Sequence, residues 1–231
     1  GLFQTLNLNG YKKTLEIYGP KGTKKFIKDV FNAFNATKTI RIKIKIHEVT
    51  TKLFETLDFK ITSLPLDHGT PTLGLVFQEK TKLRIDKQKL KKLKLTQKDQ
   101  PRLQQLIKKK NIKINSKTIK YKDLTYSEKA RKVSIILDTK LIPNVKKLAK
   151  DSDIAIIEST FLDKYDMAKA DCFKHLSADQ AAKAAKQANV KKLYLTHLSQ
   201  RYEYKANLIL KQAKRFFTNT EVAKDFQVIE L

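Results

Sequence analysis

Apolar positions along this chain follow two different periods. Phe26, Val30 and Phe34 recur every fourth residue, with Ile27 and Phe31 beside them. That spacing predicts a helix from Thr23, its cap, to about Asn35, with one apolar face. Ile40, Ile42, Ile44 and Ile46 then alternate with Arg41, Lys43, Lys45 and His47. This predicts a strand with one buried and one cationic face, with His47 an ordinary residue on the solvent side. Residues 61–67 and 73–79 read as a strand pair around His68-Gly69-Thr70-Pro71. From 132 onward, short apolar runs at 133–137, 154–157 and 193–195 alternate with helical patterns. Ser177-Ala178-Asp179-Gln180 is a capping box ahead of an alanine-rich helix at 178–189. A further helix is expected at about 205–217, and an edge strand at 226–231. Strands alternating with helices predict an α/β layered fold.

Between these regions the character changes. Residues 80–113 hold 14 Lys or Arg and 2 acidic residues, a net charge of +12, and no glycine. Leucines at 90, 93, 95, 103 and 106 give a weak helical periodicity, which Pro101 is expected to break. The segment reads as a partly helical basic arm, with 1–79 and 114–231 forming the core. The whole chain has 49 Lys plus Arg against 23 Asp plus Glu, a formal net of +26. Such a charge favours a polyanionic partner, nucleic acid before an anionic membrane. Lysine far outnumbers arginine, which suits phosphate contact better than base reading. No run of about 18 apolar residues is present, so no spanning helix is expected. The opening Gly1-Leu2-Phe3-Gln4 does not read as a signal peptide. Cys172, the lone cysteine, excludes an internal disulfide framework and fits a cytoplasmic setting.

One chemical pattern recurs in the C-terminal half. An apolar strand ends and an ionisable residue follows: Asp138 after Ile135-Ile136-Leu137, Glu158 after Ile156-Ile157, His197 after Tyr194-Leu195-Thr196. Working residues of open α/β sheets collect at the carboxyl ends of strands, so the three together argue for one site. His68, after an apolar strand and before a Gly-Thr-Pro turn, suits a loop ligand. Histidines with an aspartate are compatible with zinc or manganese. His175, just before the capped helix, is placed to meet a phosphate or act as a general acid. The six glycines all lie at or before residue 74, and no nucleotide-binding glycine motif occurs.

Taken in order, the segments resemble RNase Z of the metallo-β-lactamase superfamily. The resemblance is carried by residues 1–6, Ile17-Tyr18-Gly19-Pro20-Lys21-Gly22, His68-Gly69-Thr70-Pro71-Thr72-Leu73-Gly74, Leu137-Asp138-Thr139-Lys140, Glu158-Ser159-Thr160-Phe161 and His175-Leu176-Ser177. Thr196-His197-Leu198-Ser199-Gln200-Arg201-Tyr202 is the nearest match. It implies an αββα sandwich with a basic arm, lacking its N-terminal portion, and zinc-dependent removal of the 3′ trailer from precursor tRNA. It implies that His68, Asp138 and His197 are zinc ligands, with two ions in the complete enzyme. It further implies that Glu158 and His175 assist proton transfer. Arg201 and arm lysines such as Lys91, Lys92, Lys108, Lys109 and Lys110 would bind the substrate. A homodimer is also implied.

The family's His-x-His-x-Asp-His string does not occur here, and Leu137, Lys140 and Leu75 replace the family's usual glycine, arginine and aromatic. A truncated enzyme, one half of a split enzyme completed by a complementary N-terminal chain, and a non-catalytic tRNA- or RNA-binding protein all fit that departure. Another phosphodiesterase of the superfamily is a further alternative, one with no need of a +12 arm.

Overall fold

A computed structural model describes residues 1–34, 39–93, 99–114, 117–162 and 167–231. Its strands are β1 (Leu15–Gly19), β2 (Ile44–Glu48), β3 (Lys52–Glu55), β4 (Phe59–Asp67), β5 (Pro71–Glu79), β6 (Lys82–Ile85) and β7 (Ile112–Ile114). They continue with β8 (Lys117–Ile119), β9 (Thr125–Glu128), β10 (Lys132–Ile136), β11 (Ile154–Glu158), β12 (Lys192–Thr196) and β13 (Thr220–Val222). The chain divides into two units: Gly1–Gln78 with Lys132–Leu231, and Glu79–Arg131.

In the first unit, seven strands form one sheet in the order β13-β12-β11-β10-β5-β4-β3. Strands β10 to β13 are mutually parallel, and β5 joins β10 antiparallel. One face of this sheet carries Leu66, Val76, Ile136, Ile157, Leu193 and Leu195, all buried. Helices Pro143–Ala149, Ala178–Gln187 and Ala206–Lys214 pack on that core through Val145, Leu148, Ala181, Ala185, Ile209 and Ala213. Alanine explains the close seating of helix Ala178–Gln187, because four of its alanines are fully buried with no long side chain to fold away. The capping box forms as expected: Ser177 accepts from Gln180 N, and Gln180 Oε1 accepts from Ser177 N. Gly74 lets Leu148 approach, since an added Cβ would run into Leu148 Cδ1.

A separate two-stranded sheet pairs β1 with β2 in parallel. Helix Thr23–Ala33 accompanies it, with Phe3 and Phe31 in an edge contact at 5.0 Å. The apolar face of this helix is only partly covered: Ile27, Val30 and Phe31 are half-buried, whereas Phe26 and Phe34 are 67% and 74% exposed. The expected extension to Asn35 lies outside the described residues.

The second unit has its own small core. Leu103, Leu106, Ile112, Ile114 and Leu124 are buried, with Ile85, Leu90 and Tyr121 against them. β6 pairs with β9, and β7 with β8, both antiparallel. Asp86 caps the short helix Lys87–Lys91 by accepting from Gln88 N and Lys89 N. Pro101, expected to break a helix, instead opens one: it stands in the first turn of Gln100–Ile107, where a missing N–H costs nothing. Leu95 lies outside the described residues.

Two further expectations are corrected. β2 begins only at Ile44, where the pairing of Leu15 with Ile44 begins. Residues 226–231 are not an edge strand: the sheet edge beside β12 is taken by β13, and Phe226 has φ +61 in a turn closed by Gln227 N to Lys224 O.

The second unit is closed at its root by one pair. Arg131 donates from N and Nε to Glu79 Oε2, at 3.0 and 2.8 Å, and from Nη2 to Oε1. The Arg131 guanidinium, then its backbone N–H, hold the Glu79 carboxyl down from its ordinary 4.5 to about 2. A carboxyl depressed on folding stabilises the fold above its ordinary range, and that contribution is lost as pH falls toward the folded value. Amide protection at Leu83 and Ser127 is therefore expected to weaken between pH about 4.5 and 2. In Glu79→Gln that pH-dependent component disappears; an unchanged acid profile in this variant would count against the pair's role.

Candidate metal centre

The carboxyl ends of β10, β11 and β12 lie side by side because these strands are adjacent and parallel. Asp138 follows β10, Glu158 ends β11, and His197 follows β12. Asp138 and His197 take left-handed backbone, φ +45 and +54, as does Lys174 at +55. Aspartate and histidine enter that region more readily than most residues, and the bend turns the chain sharply out of the strand. One ligand atom each from Asp138, His175 and His197 lie within 4.8 Å of one another. The His68 ring is 4.6 Å from that of His175, and the His175 ring is 5.2 Å from that of His197.

Glu158 organises these rings. It is fully buried, yet accepts from Thr139 N at 2.6 Å and from the Thr160 hydroxyl at 2.7 Å. His175 Nδ1 lies 3.0 and 3.1 Å from its two oxygens. A carboxylate only accepts, so this Nδ1 carries the proton. The Thr160 hydroxyl, its hydrogen shared between Glu158 Oε2 and the His197 carbonyl at 3.0 Å, accepts from His197 Nδ1 at 2.9 Å. His68 Nδ1 donates to the Lys174 carbonyl at 3.2 Å. All three histidines thus have Nδ1 engaged and Nε2 left as a lone-pair donor, the arrangement that hydrogen-bonded partners impose on metal-binding imidazoles.

The donor set suits a metal ion on one further observation. Asp138 Oδ1 is buried without a hydrogen-bond partner, and His197 Nε2 stands 3.2 Å from it, within ion-pair distance but not aligned as a hydrogen bond. With His197 Nδ1 holding the proton, two lone pairs face each other. A cation shared between them resolves that conflict. Donors on one tetrahedral zinc sit about 3.3–3.6 Å apart, close to this separation.

Asp67 binds two lysines near this centre. Its Oδ1 meets Lys174 Nζ at 2.7 Å and its Oδ2 meets Lys140 Nζ at 3.0 Å. Lys174 first, then Lys140, hold the Asp67 carboxyl below its usual range. Arg201 is exposed in the 3-10 turn Gln200–Lys205, its guanidinium 5.6 Å from the Phe161 ring. Lys91, Lys92, Lys108, Lys109 and Lys110 are exposed on the second unit. Sequence reading missed Thr160, Asp67 and Lys174. Thr160 carried a weak signal as the hydroxyl two residues after Glu158, whereas the lysines were indistinguishable among so many.

No family model matches the chain. It is 38% identical over 240 residues to Ribonuclease Z of Lactobacillus helveticus, spanning all of this chain and 74% of that protein. It is 34% identical over 239 residues to Ribonuclease Z of Lactiplantibacillus plantarum, spanning all of this chain and 75% of that protein. The chain belongs to the Ribonuclease Z family. Among solved structures, human tRNase Z, short form, matches with TM-score 0.61 at 22% identity, over all of this chain and 72% of that one. A metallo-β-lactamase fold protein from Bacillus subtilis matches with TM-score 0.60 at 17% identity, over 96% of this chain and 66% of that one. These likenesses establish the metallo-β-lactamase fold for this member of the Ribonuclease Z family.

Removing the hydroxyl link should expose its role. Thr160→Val frees His197 Nδ1 and is expected to weaken zinc or cobalt binding by about 10–100-fold, as loss of a ligand's hydrogen-bonded partner does. Thr160→Ser should retain most of the affinity. Competition against a chromogenic chelator measures both, and equal affinity in the valine variant would refute the link.

Proposed function

We propose that this protein removes the 3′ trailer from precursor tRNA by metal-assisted hydrolysis of one phosphodiester bond, with zinc as its metal. The chain belongs to a family of hydrolytic endoribonucleases, and the observation that carries the reading to this chain is the Asp138–His175–His197 cluster with its Nε2 atoms left as donors. Asp138 and His197 of that cluster would hold the metal together with His68, which lies outside the cluster with its ring 4.6 Å from that of His175. When bound, it supplies Lewis-acid polarisation of a phosphoryl oxygen.

The remaining work falls to the chain's own residues. His175 holds a proton at Nδ1 against Glu158 and presents Nε2 to the reacting phosphate; Nε2 takes up a proton from solvent or from the attacking water, and the imidazolium so formed gives it to the departing 3′ oxygen and returns to the neutral ring. Glu158 is sealed from solvent, so it acts through His175 and Thr160 and does not meet the RNA. Arg201, exposed near the centre, contacts a substrate phosphate. Lys91, Lys92, Lys108, Lys109 and Lys110 give the second unit an exposed cationic surface that suits an RNA backbone. Among the described residues no helix is long and apolar enough to cross a membrane.

The test uses the protein as its gene encodes it, with a precursor tRNA carrying a 3′ trailer. His197→Ala is expected to lose both metal and cleavage. His175→Ala is expected to keep its metal and lose about 10²–10⁴-fold in rate, the usual worth of a positioned proton donor. A His175→Ala variant that loses metal instead makes this ring a ligand. RNA binding without cleavage in the unaltered protein would replace the nuclease with a non-catalytic RNA binder. Replacing Lys108, Lys109 and Lys110 with glutamine should flatten the dependence of log affinity on log salt by about 0.9 for each duplex phosphate they no longer neutralise. An unchanged slope would remove these lysines from the interface.

A further inference from the structure

We infer that Lys140 and Lys174, held in place by Asp67, form a second phosphodiester-binding subsite beside the candidate metal centre. The inference rests on the reading of that centre as a site for RNA cleavage. Its geometry starts from adjacency. Asp67 precedes His68, Lys174 precedes His175, and Lys140 lies two residues after Asp138. The three charged residues thus come from the end of β4 and from two separate loops, and each stands within two residues of a member of the centre. One carboxylate gathers both ammonium groups, with Lys174 Nζ at 2.7 Å and Lys140 Nζ at 3.0 Å.

Stitching the loops together does not require these side chains. Lys140 N already donates to the Asp67 carbonyl at 3.0 Å, and Asp67 N donates to the Thr139 hydroxyl at 3.2 Å. Two cations on one anion leave the group with a surplus positive charge. Each ammonium has three donors and directs one at Asp67, leaving the others for a further acceptor. The lysine side chains are 40% and 37% exposed, so an incoming phosphate reaches them from solvent. The stem of Lys174 passes 4.0 Å from where a Cβ on Gly69 would lie, so it runs along the turn that carries His68. A side chain pinned at its tip and along its stem has little rotamer entropy left to lose when a phosphate binds. The ligand is the backbone phosphodiester of a single RNA strand, recognised by charge and without base reading.

Asp67 makes this testable by sign. On charge alone, Asp67→Asn removes a negative group and should tighten RNA binding. If Asp67 acts by holding the two ammoniums, the same change weakens it. The measurement is fluorescence-anisotropy titration of a short single-stranded oligoribonucleotide across a salt series, with chelator present so that no metal contributes. Lys140→Gln with Lys174→Gln is expected to lower the slope of log affinity against log salt by about 0.7, the value for one single-strand phosphate, and each single variant by a part of that. The double variant should bind about tenfold more weakly, the worth of one charge-assisted hydrogen bond. Asp67→Asn should also bind more weakly. Lysine variants that match the wild-type slope, or an Asp67→Asn protein that binds as tightly or more tightly, would overturn the subsite. Should Asp67→Asn fail to fold, the two lysine variants decide the matter. Cleavage of precursor tRNA, assayed separately, keeps the two readings apart: a reduced slope without any cleavage leaves the subsite standing and removes the nuclease.

Discussion

A carboxylate sealed from water is expensive unless its oxygens are filled, and Glu158 is filled without any lysine or arginine among the described residues. Its partners are a backbone N–H, a hydroxyl and an imidazole. Each belongs to a different part of the chain: Thr139 after β10, Thr160 after β11, His175 ahead of helix Ala178–Gln187. The desolvation cost of one acid is therefore offset only when three loops are correctly assembled. The same bonds decide which nitrogen of His175 and His197 keeps its hydrogen. Loop assembly and donor chemistry are coupled through one buried side chain.

This coupling explains the unusual backbone at the centre. Asp138 and His197 occupy left-handed conformations that most residues avoid. Such strain persists when surrounding contacts over-determine it. Here the Thr139 and Thr160 bonds to Glu158 act immediately beside the strained residues. The buried face of the sheet, with the alanine-rich helix seated on it, keeps the strands from relaxing in response.

Much of the sheet was legible. The apolar runs ending at Leu137, Ile157 and Leu195 marked three strands, and the ionisable residue after each pointed to their shared edge. The Ser177 box marked its helix start because capping is local chemistry. The failures are non-local. Nothing in 226–231 reveals that Thr220–Val222 already occupies the sheet edge. Pro101 looked like a breaker, because whether a proline starts or stops a helix depends on where the first turn falls. The 80–113 stretch reads as a partly helical basic arm, in which charge outweighs a few leucines. Leu103 and Leu106 meet Ile112, Ile114 and Leu124 in the folded unit, where β6 pairs with β9 and β7 with β8. Asp67 and Lys174 are 107 residues apart, and no periodicity links them.

β5 and β10 are neighbours in the sheet, with Gln78 paired to Lys132, and Glu79 N donates to the Arg131 carbonyl just beyond that pair. The whole 79–131 unit therefore occupies the place of a hairpin turn. A tight turn could join the same two strands without moving their register. Lengthening, recharging or deleting this module would therefore leave the pairing of β5 with β10, and with it the residues at the strand ends, where they are.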